Sequence, residues 1–135
     1  MYELKIDQPS YEWTVFMSKH FSVTVRAWQR EDKFGWNVYA NIFDCHPLHN
    51  DPEAAMRLDF HGGATYDKYI TYEPSQGIKY DFQKAQRVLK VGSDYMHLYD
   101  DWAEQCDPKD GIPMRIQNDA RSLVDQLLAH QTVVA

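Results

Sequence analysis

The chain is expected to fold as one α+β domain over residues 1–135: an antiparallel sheet, one C-terminal amphipathic helix packed on it, and a short helical turn after a His-Pro loop. Three observations predict this. Apolar and polar residues alternate from Phe21 to Trp28 and again from Trp36 to Ile42, the period of half-buried strands. Ile116, Ala120, Leu123, Val124 and Leu127 recur at helical spacing, with Asn118, Asp119, Arg121, Asp125 and Gln126 on other faces. No repeat, low-complexity tract or linker divides the chain.

The elements follow in order. Tyr11 to Met17 is a first candidate strand. Phe21, Val23, Val25 and Ala27 form the apolar side of the next, and the stretch Gln29 to Gly35 breaks the pattern as a hairpin connection. Trp36, Val38, Ala40 and Ile42 line the return strand, which Pro47 ends. Asp51-Pro52 supplies an N-cap and a first-turn proline for one or two turns of helix through Met56. A strand from Arg57 to His61 is expected to run into Gly62-Gly63, a pair that marks a bulge, a turn or a close approach. Tyr66 to Tyr72 continues extended, Arg87 to Asp94 is a further strand, and the C-terminal helix starts beyond Pro113.

Composition narrows the classes of function. A 44% hydrophobic content with four Trp, nine Tyr and six Phe excludes a disordered chain. A net charge of −6 argues against a phosphate-binding surface, so direct nucleic-acid binding is not expected. Met1 to Ser10 lacks a basic start and an apolar core of the secretory kind, and no apolar run reaches membrane-span length. A cytoplasmic protein with Cys45 and Cys106 as reduced thiols and no membrane contact is expected.

The chemistry gathers in three stretches. Cys45-His46-Pro47-Leu48-His49, His61-Gly62-Gly63-Ala64-Thr65 and Gly92-Ser93-Asp94-Tyr95-Met96-His97-Leu98-Tyr99-Asp100 hold four of the six histidines beside glycines and carboxylates. Imidazole grouped with carboxylate makes a proton relay or a coordination sphere, because histidine titrates near neutrality and is the commonest metal ligand. His46, His61, Asp94, His97 and Asp100 are the candidate ligands of a divalent metal such as zinc, and His61, His97 and Asp94 the candidate catalytic groups. Gly62, Gly63 and Thr65 are candidates for a ligand-facing backbone, since positive φ at glycine opens a row of N–H groups. His49 reads as closing off a strand end, and the alternative for the whole set is a structural polar brace.

The order of a His-Pro loop, a His-Gly-Gly-x-Thr stretch and a Gly-x-Asp-x-x-His-x-x-Asp stretch before a C-terminal helix resembles a widespread family of small uncharacterised proteins of bacteriophages, prophages and plasmids. The likeness runs from Trp36 to Leu128 and rests on His46, Pro47, His61, Gly62, Gly63, Thr65, Gly92, Asp94, His97 and Asp100. Members often carry glycine ahead of His-Pro and an aromatic after the motif glycine, where this chain has Cys45 and Ser93. The resemblance implies a mobile-element setting, in the cytoplasm of a bacterial host, and no particular reaction.

Two functional expectations follow. In the first, the His/Asp set binds a metal or small ligand for an accessory protein of the mobile element. In the second, the protein is a non-catalytic acidic binder that inhibits a host defence factor such as a nuclease. Asp94, Asp100, Asp101, Glu104, Asp107 and Asp110 would supply the charge, and Trp28 or Trp102 the anchors.

Overall fold

In the computed structural model, which describes residues 10–72, 86–96 and 99–133, the alternating segments form one antiparallel sheet. Its strands are β1 (Ser10–Met17), β2 (Phe21–Arg30), β3 (Lys33–Ile42), β4 (Tyr66–Tyr72) and β5 (Gln86–Asp94), hydrogen-bonded in the order β1-β2-β3-β5-β4. The helices are α1 (Pro52–Met56), α2 (Asp101–Glu104) and α3 (Met114–Val133). The expected α+β architecture is the one the chain adopts.

Cross-strand register explains how alternation becomes a core. Val23, Ala40 and Val91 lie opposite one another across three strands, as do Phe21, Ile42 and Leu89, and all six are buried. Opposed residues project to the same side of a sheet, so these rows make one apolar face. The buried side of α3, Ile116, Ala120, Leu123 and Leu127, closes over β1, β2 and β3. Each fully buried leucine contributes about 1.5–3 kcal/mol relative to an exposed one.

Two local expectations are corrected, and a third is narrowed to one of its alternatives. The β2–β3 hairpin is tighter than the sequence break suggests: the strands run on to Arg30 and from Lys33, with Glu31 in the left-handed region at φ +57°. Gly35 therefore lies inside β3 beneath the Trp28 ring, where an added Cβ would stand 2.4 Å from the indole. Residues Arg57 to His61 are not a strand. Leu58 and Phe60 bury alternately, as in a strand, yet Phe60 N–H bonds back to Leu58 O at 2.8 Å within a turn rather than across a ladder. Of the readings open for Gly62-Gly63 the structure has the turn, and the sheet irregularity falls in β1, between Thr14 and Phe16. There the extra residue Val15 turns outward so that Trp13 and Phe16, three apart, both pack on the core, Trp13 stacked on Trp36 at 5.7 Å and Phe16 on Phe21 at 5.0 Å.

The expected start of α1 meets its counterpart. Asp51 caps α1 by accepting Ala54 N–H at 3.1 Å, with Pro52 in the first turn. Cys45 and Cys106 are free thiols. Among the described residues no helix is long and apolar enough to cross a membrane.

Truncating Leu123 to alanine is expected to cost about 2–5 kcal/mol of unfolding free energy in urea, because it opens a cavity between α3 and the sheet. The same change at exposed Met114 should stay within about 0.5 kcal/mol.

Candidate functional site

To reach the edge strand β4 the chain leaves β3 and crosses the core face of the position that β5 occupies. The crossing segment carries His46, His49 and His61, and its apolar residues Leu48, Ala55, Leu58 and Phe60 join the core. Polar side chains on a segment buried in this way need internal partners. Each histidine finds different ones.

His46 caps the 3₁₀ turn Pro47–Asn50. Its Nδ1 accepts Leu48 N–H at 3.0 Å, its Nε2–H donates to Leu127 O of α3 at 2.9 Å, and its ring meets Phe21 edge-on. Both nitrogens are thereby used, in the neutral Nε2–H tautomer. This bonding leaves no lone pair for the metal role expected of His46. Burial holds its pKa below the usual histidine value, and nearby His130 and His20 push the same way against the Leu127 carbonyl. His49 closes off a strand end, as expected: Nε2–H donates to Arg87 O of β5 at 3.0 Å, and its own carbonyl accepts the Tyr69 hydroxyl of β4 at 2.6 Å.

His61 is set differently. Its Nε2 lies 2.8 and 3.0 Å from the two oxygens of Asp100, a carboxylate only 4% exposed, while a quarter of the His61 side chain remains accessible. The ring stacks on Tyr95 at 4.3 Å with 17° between planes. Tyr95 is itself locked: its hydroxyl donates to Asp119 of α3 at 2.5 Å, and Trp102 of α2 meets its ring edge-on at 5.8 Å. Burial, and then the hydrogen bond to Asp119, drive the Tyr95 pKa far above the ordinary phenol value, so it is a fixed donor. Arg115 covers Trp102 from the solvent side, 4.3 Å from the ring centre.

The backbone around the pair is bent to place it. Gly62 and Gly63 adopt φ of +68° and +87°, turning the chain directly after His61, and Tyr99 adopts φ +76° directly before Asp100. A bulky residue in that region is uncommon and costly, and it is tolerated where surrounding contacts over-determine the geometry. The row of N–H groups expected to face a ligand is partly used within the fold: Gly63 N–H bonds Phe60 O at 2.9 Å and Thr65 N–H bonds Gly92 O at 2.9 Å.

The structure thus brings His61 and Asp100 together and gives His46 separate partners. Asp94 ends β5, where its Oδ1 accepts Met96 N–H at 3.1 Å. His97 lies outside the described residues. Among the described residues no three His, Cys, Asp or Glu side chains are grouped to hold a metal ion. Comparison with family models, with curated proteins and with solved structures finds no match to the chain.

The acidic stretch has mixed uses. Asp100 points inward, Glu104 pairs with Lys33 at 3.4 Å, and Asp107 caps a 3₁₀ turn at Lys109 N–H, while Asp101 and Asp110 are exposed. Trp102 packs against the core beneath Arg115, and its buried Nε1–H has no hydrogen-bond partner among the described residues. Sequence reasoning missed Tyr95, Asp119, Trp102 and Arg115 as parts of this site. Tyr95 sits between Asp94 and His97 in the motif, but Asp119 and Arg115 come from α3 and carry no local signal.

Two outcomes follow. The unfolded chain protonates His46 near pH 6.5 and the folded chain only lower, so the stability that neutral His46 provides is complete above 6.5 and is lost as pH falls through that value toward the folded pKa. In urea titrations at pH 7.5 and 5.5, His46→Gln should start about 1–3 kcal/mol lower and show a shallower loss than wild type. Tyr95→Phe, which deprives Asp119 of its donor, should cost about 1.5–3 kcal/mol in the same assay, as expected for a bond to a charged acceptor.

Proposed function

We propose that the chain is an accessory protein of a mobile element in which His61, oriented by Asp100, takes and returns a proton at a small-ligand site. The observation that carries this reading is the buried carboxylate within 2.8 Å of a histidine that keeps a quarter of its side chain accessible. With Nε2–H directed at Asp100, the carboxylate fixes the ring in one orientation, and proton transfer by the accessible imidazole is the role this geometry supports. Stacking on Tyr95 and the two flanking positive-φ turns hold the ring in that orientation. A brace alone would be met by burying both partners, as at His46. The mobile-element setting rests on the order of the three motifs alone.

The expectation is testable with simple activated esters. After elemental analysis for bound metal, p-nitrophenyl acetate and bis(p-nitrophenyl) phosphate are turned over by wild type, His61→Gln and Asp100→Asn, each checked by near-UV circular dichroism. A rate above that of free imidazole, reduced by about 10²–10⁴-fold in His61→Gln and at least tenfold in Asp100→Asn, is the expected result. Equal rates in folded wild type and variants, or none above free imidazole, would remove the proton-transfer role.

A further inference from the structure

The side of the sheet facing away from α3 holds a cavity of its own, about 180 Å³ in volume. Its centre is polar. Asn41 Nδ2 donates to Ser22 Oγ and to Thr24 Oγ1, both at 3.2 Å. These hydroxyls belong to residues only 4% and 8% exposed, each already accepts from Asn41, and neither has an acceptor for its own proton among the described residues. Both residues line the cavity, so the two hydroxyl protons form a pair of donors there for an acceptor-bearing occupant.

Charge frames the same space. Lys90 comes from β5 and Glu12 from β1, with β2 and β3 between them, about 14 Å of sheet at the usual strand spacing. Both line the cavity and interact electrostatically, yet they form no ion pair; among the described residues the ion pairs are Lys33–Glu104 and His61–Asp100. The Lys90 ammonium stands 4.3 Å over the Tyr39 ring, stripped of part of its water, and burial lowers its pKa. Arg26, the cross-strand neighbour of Glu12, is drawn aside toward Trp28 and Tyr39. One wall of the cavity is apolar, made by Met17, Phe43, Ile70 and Val88.

We propose that this cavity binds a free α-amino acid: its carboxylate takes the Ser22 and Thr24 hydroxyl protons and the Lys90 ammonium, its ammonium faces Glu12, and its side chain lies on the apolar wall. A plain anion would answer Lys90 and the hydroxyls but meet the Glu12 charge, and a plain cation would leave both hydroxyls without acceptors. Only a zwitterion matches the separated charges and the two donors together.

Isothermal titration calorimetry on the full chain tests this with L-leucine, L-methionine and L-glutamine. Two half-ligands accompany them, 4-methylpentanoate, which lacks the ammonium, and 3-methylbutylamine, which lacks the carboxylate. At least one amino acid should saturate a single site, with both half-ligands at least tenfold weaker than leucine if leucine is that ligand, and weaker than the bound amino acid in every case. Lys90→Met and Thr24→Val should each weaken binding at least tenfold. Should Lys90→Met fail to fold, Thr24→Val decides, because it keeps the shape and removes only the hydroxyl. Absence of binding by all three amino acids, equal binding of 4-methylpentanoate, or unchanged affinity in folded Thr24→Val would each overturn the proposal.

Discussion

One helix must serve a five-stranded sheet. A helix with its side chains is about 10–12 Å across and strands lie about 4.8 Å apart, so a single helix shields little more than two of them. α3 covers the β1–β3 side with α2 also packed on β3, and the core face toward β5 is closed by the crossing segment from Phe43 to Thr65. Irregular chain brings backbone and side-chain polar groups inside, and these must bond one another because water is excluded. Three of the six histidines are placed by that requirement. His46 ties the crossing segment to α3, His49 ties it to β5, and His61 ties it to Asp100 at the start of α2.

The three ties differ in exposure. At His46 both ring nitrogens are bonded and the residue is buried, so protonation costs stability and the group acts as a brace. At His61 the carboxylate is the buried partner and the imidazole remains accessible, which is the asymmetry that proton transfer uses. The opposite side of the sheet follows another logic, with hydroxyls and separated charges around a cavity rather than a loop folded over apolar rows. The β-sheet period makes both possible in the same strands, since successive residues of β2 and β3 serve opposite faces.

Much of this was legible in the sequence where one residue type does one local job. Alternation in β2 and β3 named the core rows, Asp51-Pro52 named the start of α1, and the spacing Ile116, Ala120, Leu123, Leu127 named the buried side of α3. The errors arose where tertiary contacts decide. Leu58 and Phe60 alternate like a strand because both bury, but among the described residues no strand lies beside them to complete a ladder. Gly35 reads as a turn residue, yet the Trp28 ring requires its missing Cβ inside a strand. At the site, the motif contained His61 and Asp100 but could not pair them, and Asp119 and Arg115 are supplied by a helix whose face toward Tyr95 and Trp102 no spacing rule identifies.

The central claim is that Asp100 fixes the orientation and tautomer of the His61 ring. Long-range ¹H–¹⁵N correlation spectra of the histidine rings, recorded at a pH where the imidazole is neutral, read that tautomer directly. The account predicts His61 as Nε2–H in the wild type and loss of that single-tautomer pattern in folded Asp100→Asn. An Nδ1–H pattern in the wild type, or one indifferent to Asp100→Asn, would contradict it.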